Sequence, residues 1–208
     1  MINVNYVMVF ILSFDIGIKN LAFCYSNDEN ILKWNVMDIQ GSNINDTCEK
    51  CIALLEETFK DDPIEQVLIE NQPVQKNPVM KTIQVIVFTY FTYKKVLENC
   101  NSMKINFISA NRKNKFAEKF NLNIECKTKY QKNKKTAIAC TYLLVEKTSW
   151  ELHFMKHKKK DDLADSYLQT LSFINYEPVL PKPSEPLEVD DNSSTSSTSQ
   201  SEIHLSNS

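Results

Sequence analysis

Asp15 closes an apolar run, Val9 to Phe14, and Glu70 closes another, VLIE (67–70). Farther along, KKKDDLADS (158–166) carries Asp162 and Asp165 at i and i+3, which sets both carboxylates on one face of a helix. An acid at the tip of a buried strand is costly unless it is paired, hydrogen-bonded or holding a metal. Four such acids brought together cannot all stay ionised without cations. An oxygen-only donor set suits Mg2+, with Mn2+ as a substitute. A pair of these ions activates water and stabilises the leaving oxygen in phosphodiester cleavage. Each acid alone reads equally well as a turn or cap residue. Their shared position at element ends favours a site.

The charge distribution points the same way. The chain has 208 residues and a formal net charge of −2, yet residues 111–160 hold fourteen Lys and Arg against four Asp and Glu, a net of +10. Residues 1–110, 161–178 and 179–208 each net −4. A basic block in an otherwise acidic protein suits a polyanion, because lysines that neutralise phosphates release counterions. The candidate phosphate contacts are Lys127, Lys129, Lys132, Lys134, Lys135, Lys158, Lys159 and Lys160. The competing reading is a solvated lysine-rich surface.

The elements that must position these residues follow from periodicity. Strands are predicted at 8–16, 20–26, 31–38, 65–70 and 104–109, and helices at about 46–60, 79–99, 111–120, 131–147 and 161–174. Over 79–99 the Val, Ile and Thr content favours a strand, while the unbroken length favours a helix. Gly17, one of only two glycines, permits a turn between the first two strands. Leu163, Ala164, Tyr167, Leu168 and Leu171 give the last helix an apolar face to lay on the sheet. This order predicts an α/β fold around a five-stranded mixed sheet flanked by helices. Prolines 178, 181, 183 and 186 and the run SSTSSTSQS mark residues 178–208 as a disordered acidic tail beyond a domain of residues 1–177.

FDIGIKNLAF, VLIENQP and KKKDDLADS resemble the RuvC-like Holliday junction resolvases of the ribonuclease H-like superfamily, those of poxviruses and other large DNA viruses above all. The resemblance spans about residues 10–175. It covers the first-strand acid two places before a glycine, the fourth-strand glutamate followed by glutamine-proline, the closing D-x-A-D helix, and the lysine-rich KYQKNKKTAI. It implies a Mg2+-dependent endonuclease, homodimeric, that resolves four-way DNA junctions in viral recombination, with Asp15, Glu70, Asp162 and Asp165 as catalytic metal ligands. It also implies work in the cytoplasm or nucleus of a host. Asp161, four residues before Asp165, competes with Asp162 as the ligand; the D-x-A-D spacing favours Asp162 and leaves Asp161 as a helix cap.

Several other features carry blander readings. Cys48 and Cys51 lack the further ligands of a zinc site and read as helix packing, and six scattered cysteines read as reduced thiols. His153 and His157, at i and i+4, lack a third ligand. Phe88, Tyr90, Phe91 and Tyr93 read as core or dimer contacts before base-stacking ones. No apolar run is long enough to span a membrane, and VMVFILSF lacks the flanks of a secretory signal. An actin-like or sugar-kinase ATPase needs several glycine-rich phosphate contacts, which two glycines do not supply. A non-catalytic junction binder and a nuclease for RNA–DNA hybrids remain as alternatives.

Overall fold

The structure is a computed structural model that describes residues 8–73, 75 and 77–177. The tail expected over 178–208 lies outside the described residues. Five strands, β1 (Phe10–Ile16), β2 (Asn20–Asn27), β3 (Asn30–Asp38), β4 (Gln66–Glu70) and β5 (Lys104–Ile108), form one sheet in the order β3-β2-β1-β4-β5. The first three strands pair antiparallel, and β1–β4 and β4–β5 pair parallel. Six helices complete the domain: α1 (Ile44–Phe59), α2 (Pro78–Leu97), α3 (Ala110–Glu118), α4 (Lys129–Val145), α5 (Glu151–Lys156) and α6 (Lys160–Phe173). The expected mixed α/β sheet is what forms. Among the described residues no helix is long and apolar enough to cross a membrane.

The two-residue period of β1 and β4 sorts their side chains between two cores. Leu12, Phe14, Ile16, Val67 and Ile69 face α1 and α2, where they pack with Leu55, Phe59, Ile83, Val87 and Phe91. Cys24 and Trp34, from β2 and β3, face the other way. They join Phe116, Ala137, Cys140, Phe154 and the apolar stripe of α6: Leu163, Ala164, Tyr167, Leu168 and Leu171.

Helix α6 is fixed to the sheet by polar groups as well as by this stripe. The buried Ser13 hydroxyl donates to the Ser166 carbonyl at 2.5 Å and lies 2.8 Å from Thr170 Oγ1. Gln169, also buried, donates from Nε2 to the Phe14 carbonyl (3.3 Å) and the Leu68 carbonyl (3.2 Å), and so spans β1 and β4. Trp34 Nε1 donates to the Leu163 carbonyl at 3.0 Å. These bonds set the rotation of α6 on the sheet, and with it the direction of its acids.

Local chemistry explains the remaining elements. Helix propensity and length prevail over β-branching in α2, which starts on Pro78 with Asn77 capping the Met80 amide. Tyr90 and Phe91 are core residues, while Tyr93 is 62% exposed. All six cysteines are free, and Cys51 packs in the core beside α2. Gly17 is required by close approach: a Cβ there would come 2.6 Å from the Asn20 carbonyl oxygen. Helix α5 is an addition to the expected elements. Its six residues make less than two turns and have no side-chain N-cap, so local sequence barely signals it. Stacking of Phe154 on Trp34, at 5.4 Å and 7°, supplies what the local sequence lacks.

Gln169→Met keeps the side chain's bulk and removes both donors to the strand carbonyls. A loss of about 1–2 kcal/mol in urea unfolding is expected. An unchanged midpoint would show that the Gln169 bonds add nothing to the hold on α6.

Candidate active site

Parallel pairing puts the first two acids side by side. Phe14 is in register with Ile69, so Asp15 and Glu70 follow as neighbours at the ends of β1 and β4. The strand period turns both away from the α1–α2 core and toward α6. On α6, Asp162 and Asp165 lie three residues apart, and all four acids line one cleft of about 480 Å3. Asp161 lines it too.

Lys113, which no sequence motif singles out, sits among these acids. Strand β5 ends at Ile108, opposite Glu70, and Ser109 leads directly into α3. One turn later Lys113 is 7% exposed, with Nζ 2.7 Å from Asp165 Oδ2, 3.0 Å from Asp15 Oδ1 and 3.2 Å from Glu70 Oε2. A signal for this is present in the chain. Lys113, Phe116, Ala117 and Phe120 recur at helical spacing, and all four are buried. Lys113 therefore belongs to the inward face of its helix.

The protonation states follow from burial and this one cation. Burial would raise Asp15, but the Lys113 charge and hydrogen bonds from Glu70 and Lys113 outweigh it and hold Asp15 below the usual carboxylate range. Glu70 is pushed up to about 9 by burial, then by its hydrogen bond to Asp15 and the Asp15 charge, with Lys113 offsetting only part. The two neighbouring carboxyls are thus driven apart, Asp15 downward and Glu70 upward. Asp165 is raised to about 6 by burial, with Lys113 opposing and the Asp15 charge adding. Burial would lower Lys113, but Asp15, Asp165 and Glu70 raise it further and keep it charged.

The two adjacent acids of α6 differ sharply. Asp161 makes an ion pair with Lys134 of α4. That interaction outweighs burial and lowers its carboxyl. Asp162 has no ion pair or side-chain hydrogen bond among the described residues. Its carboxyl is raised by burial, then by the Asp161 and Asp15 charges. A partly buried acid left without a partner beside three others is open to a cation. The donor set is all carboxylate oxygen, the chemistry of a hard divalent ion. As arranged, with Lys113 Nζ between them, no three such side chains among the described residues are gathered around a single ion position.

The basic residues divide into groups. Lys134 and Lys159 line the acid cleft, and Lys129 and Lys132 line a second cleft between α3 and α4. Lys127, Lys135, Lys158 and Lys160 line neither. His153 and His157 stand on and just after α5 with ring centroids 5.7 Å apart, outside the acid cleft.

Comparison with known proteins identifies the fold and the family. An uncharacterised protein of Acanthamoeba polyphaga mimivirus is 34% identical over 123 residues, which cover 54% of this chain but only 29% of that protein's length. The yeast mitochondrial Holliday junction resolvase Ydc2 superposes with a TM-score of 0.57 at 16% identity, covering 81% of this chain and 80% of the resolvase. Fowlpox virus resolvase, in its complex with Holliday junction DNA, gives 0.52 at 18% identity, covering 80% and 97%. Thermus thermophilus RuvC, with its junction substrate, gives 0.54 at 11% identity, covering 81% and 94%. These structures share the fold, a RuvC-like ribonuclease H fold. The family model described as poxvirus A22 protein matches residues 8–176, and the chain belongs to that family.

Proposed function

We propose that this protein is a divalent-metal-dependent endonuclease that resolves four-way DNA junctions. The observation that carries the reading is the convergence of Asp15, Glu70, Asp162 and Asp165 on one cleft beside a segment of charge +10. Those four carboxylates would hold two Mg2+ ions, or Mn2+ in their place. Bound there, the ions supply activation of water and stabilisation of the departing 3′-oxygen.

The protein's own groups prepare that chemistry. Glu70 must give up its proton before its carboxylate can ligate, so protons compete with the cation at this position. Lys113 neutralises the acids until a cation takes over, and its ammonium is then available to a phosphate. Asp161 directs Lys134 to the cleft rim, and Lys129, Lys132, Lys135 and the lysines at 127 and 158–160 offer phosphate contacts farther out. A non-catalytic binder has no use for an acid left unpartnered like Asp162.

A homodimer suits a junction of near two-fold symmetry, since it offers two clefts for paired cuts. The α2 face bearing Val85, Tyr93, Val96 and Leu97, between 48% and 67% exposed, is an apolar surface suited to that role. The work belongs to viral recombination and genome processing, in host cytoplasm or nucleus. Cleavage of an RNA–DNA hybrid is the rival activity. Incubation with a four-way junction, a linear duplex and a hybrid should yield paired nicks in the junction alone, and preferential hybrid cleavage would replace this reading.

Three further outcomes are expected. Asp162→Asn and Asp165→Asn should each abolish cleavage while junction binding persists, and Asp161→Asn should keep most activity with a stability loss of about 0.5–1 kcal/mol from the weakened pair with Lys134 and the lost charge in the first turn of α6. A dead Asp161→Asn beside an active Asp162→Asn would shift the ligand by one residue.

Replacing Lys129, Lys132 and Lys135 with alanine should weaken junction binding. It should also reduce the log-log salt slope by about 0.9 for every phosphate that these lysines neutralise. Lys134 is left intact in that variant because Asp161 engages it. An unreduced slope would assign these lysines to solvent.

Glu70→Gln should bind junctions without cutting them, and its stability in chelator should depend less on pH. A carboxyl raised to about 9 from an ordinary value of 4.5 contributes stability that is full below about 4.5 and lost as pH rises through 9. The glutamine has no such loss. At pH 8 in chelator the variant should be the more stable protein by about 1–3 kcal/mol, and a wild-type advantage there would show that Glu70 is ionised.

A further inference from the structure

Beyond the acids lies a second cleft that holds more than lysines. The second cleft, about 390 Å3, runs between α3 and α4, and it shares Asn114 and Asn133 with the acid cleft. The two clefts therefore adjoin, with the carboxylates in one and Asn121, Lys129 and Lys132 in the other. At the joint the lining changes from charge to carboxamide. Neither Asn114 nor Asn133 makes a side-chain hydrogen bond among the described residues, so each presents a free donor and a free acceptor to the groove.

Tyr130 lines the same joint. Tyr130, Asn133 and Lys134 fall at i, i+3 and i+4 on α4, which sets them on one face. Tyr130 is 67% exposed, and its ring has a cationic neighbour. Lys134 Nζ lies 5.1 Å from its ring centroid, and Lys134 is in turn paired with Asp161. An aromatic ring held open at the edge of a groove, with unpartnered carboxamides beside it, has the composition of a base site. The ring offers a stacking face, and the amides offer hydrogen bonds to a base edge.

We propose that this joint binds one unpaired nucleotide next to the scissile phosphate, with its base stacked on Tyr130 and its edge read by Asn133 and Asn114. The inference rests on the junction-cleaving reading above and adds to it a source of cut-site preference. A branch point is where such a nucleotide costs least to extract, because base pairs there lack a stacking neighbour. Lys129 and Lys132 then take the backbone leading away from the acids.

The test uses the full-length chain in chelator, so that binding is read without cleavage, and a four-way junction carrying an unpaired 2-aminopurine at the crossover. Wild type and Tyr130→Phe should quench the probe, and Tyr130→Ala should leave it bright. With Mg2+ restored, Tyr130→Ala should cut roughly tenfold or more slowly. Asn133→Ala should broaden the cut-site distribution on junctions with randomised crossover bases. Equal fluorescence with wild type and Tyr130→Ala overturns the site, and so does an unchanged cut-site distribution in Asn133→Ala. Quenching that depends on Tyr130 in a protein that cleaves no junction would sustain the nucleotide site while refuting the resolvase reading.

Discussion

Three carboxylates within about 3 Å of one ammonium set the terms for this domain. Like charges in a partly desolvated cleft repel, and a buried charge without a partner is strongly destabilising. Lys113 resolves the conflict from inside the protein, at 2.7 Å from Asp165, 3.0 Å from Asp15 and 3.2 Å from Glu70. The upward shift of Glu70, driven by burial and by Asp15, favours its neutral form and eases the rest. The sheet makes this possible, because the Asn71 amide donates to the Ile108 carbonyl at 2.8 Å and ties the ends of β4 and β5 together. Helix α3 then starts beside Glu70, and Lys113 needs only one turn to reach the acids.

Helix α6 serves the fold and the site with opposite faces of the same turns. Leu163, Ala164, Tyr167 and Leu168 close one core, and Gln169 and Ser166 bond to the sheet. Asp162 and Asp165 point from the same turns into the cleft. The acids are therefore held as firmly as the core is packed. A site built on strand ends and a core helix has little freedom to misplace its ligands, whereas loop-borne acids would drift.

Much of this is legible in the chain. The five strands, the mixed sheet and the positions of Asp15 and Glu70 follow from apolar runs that end in an acid. The α6 pair follows from its spacing. Lys113 escapes notice because it lies in NRKNKFAEK, where lysines abound and charge alone reads as surface. Only the burial shared with Phe116 and Ala117 separates it from Lys115. The roles of Asp161 and Asp162 stay open in the sequence for a similar reason. Spacing allows either to join Asp165, and the difference is made by Lys134, which reaches Asp161 from another helix. Helix α5 leaves little local signal because contacts from across the fold hold it, Trp34 packing on Trp150, His153 and Phe154.

The bond from Ser13 to Ser166 joins residues 153 positions apart. During translation, the sheet strands and the lysine-rich α4 leave the ribosome before the helix that completes the acid cluster. At typical synthesis rates the interval from Asp15 to Asp165 is on the order of ten seconds. From the synthesis of Glu70 until that of Asp162 the nascent chain carries two of its four acids, and it lacks the wall of one core. The four-acid cleft is thus completed together with the final packing step, and a chain stalled before α6 carries a net positive charge and only two of the four acids.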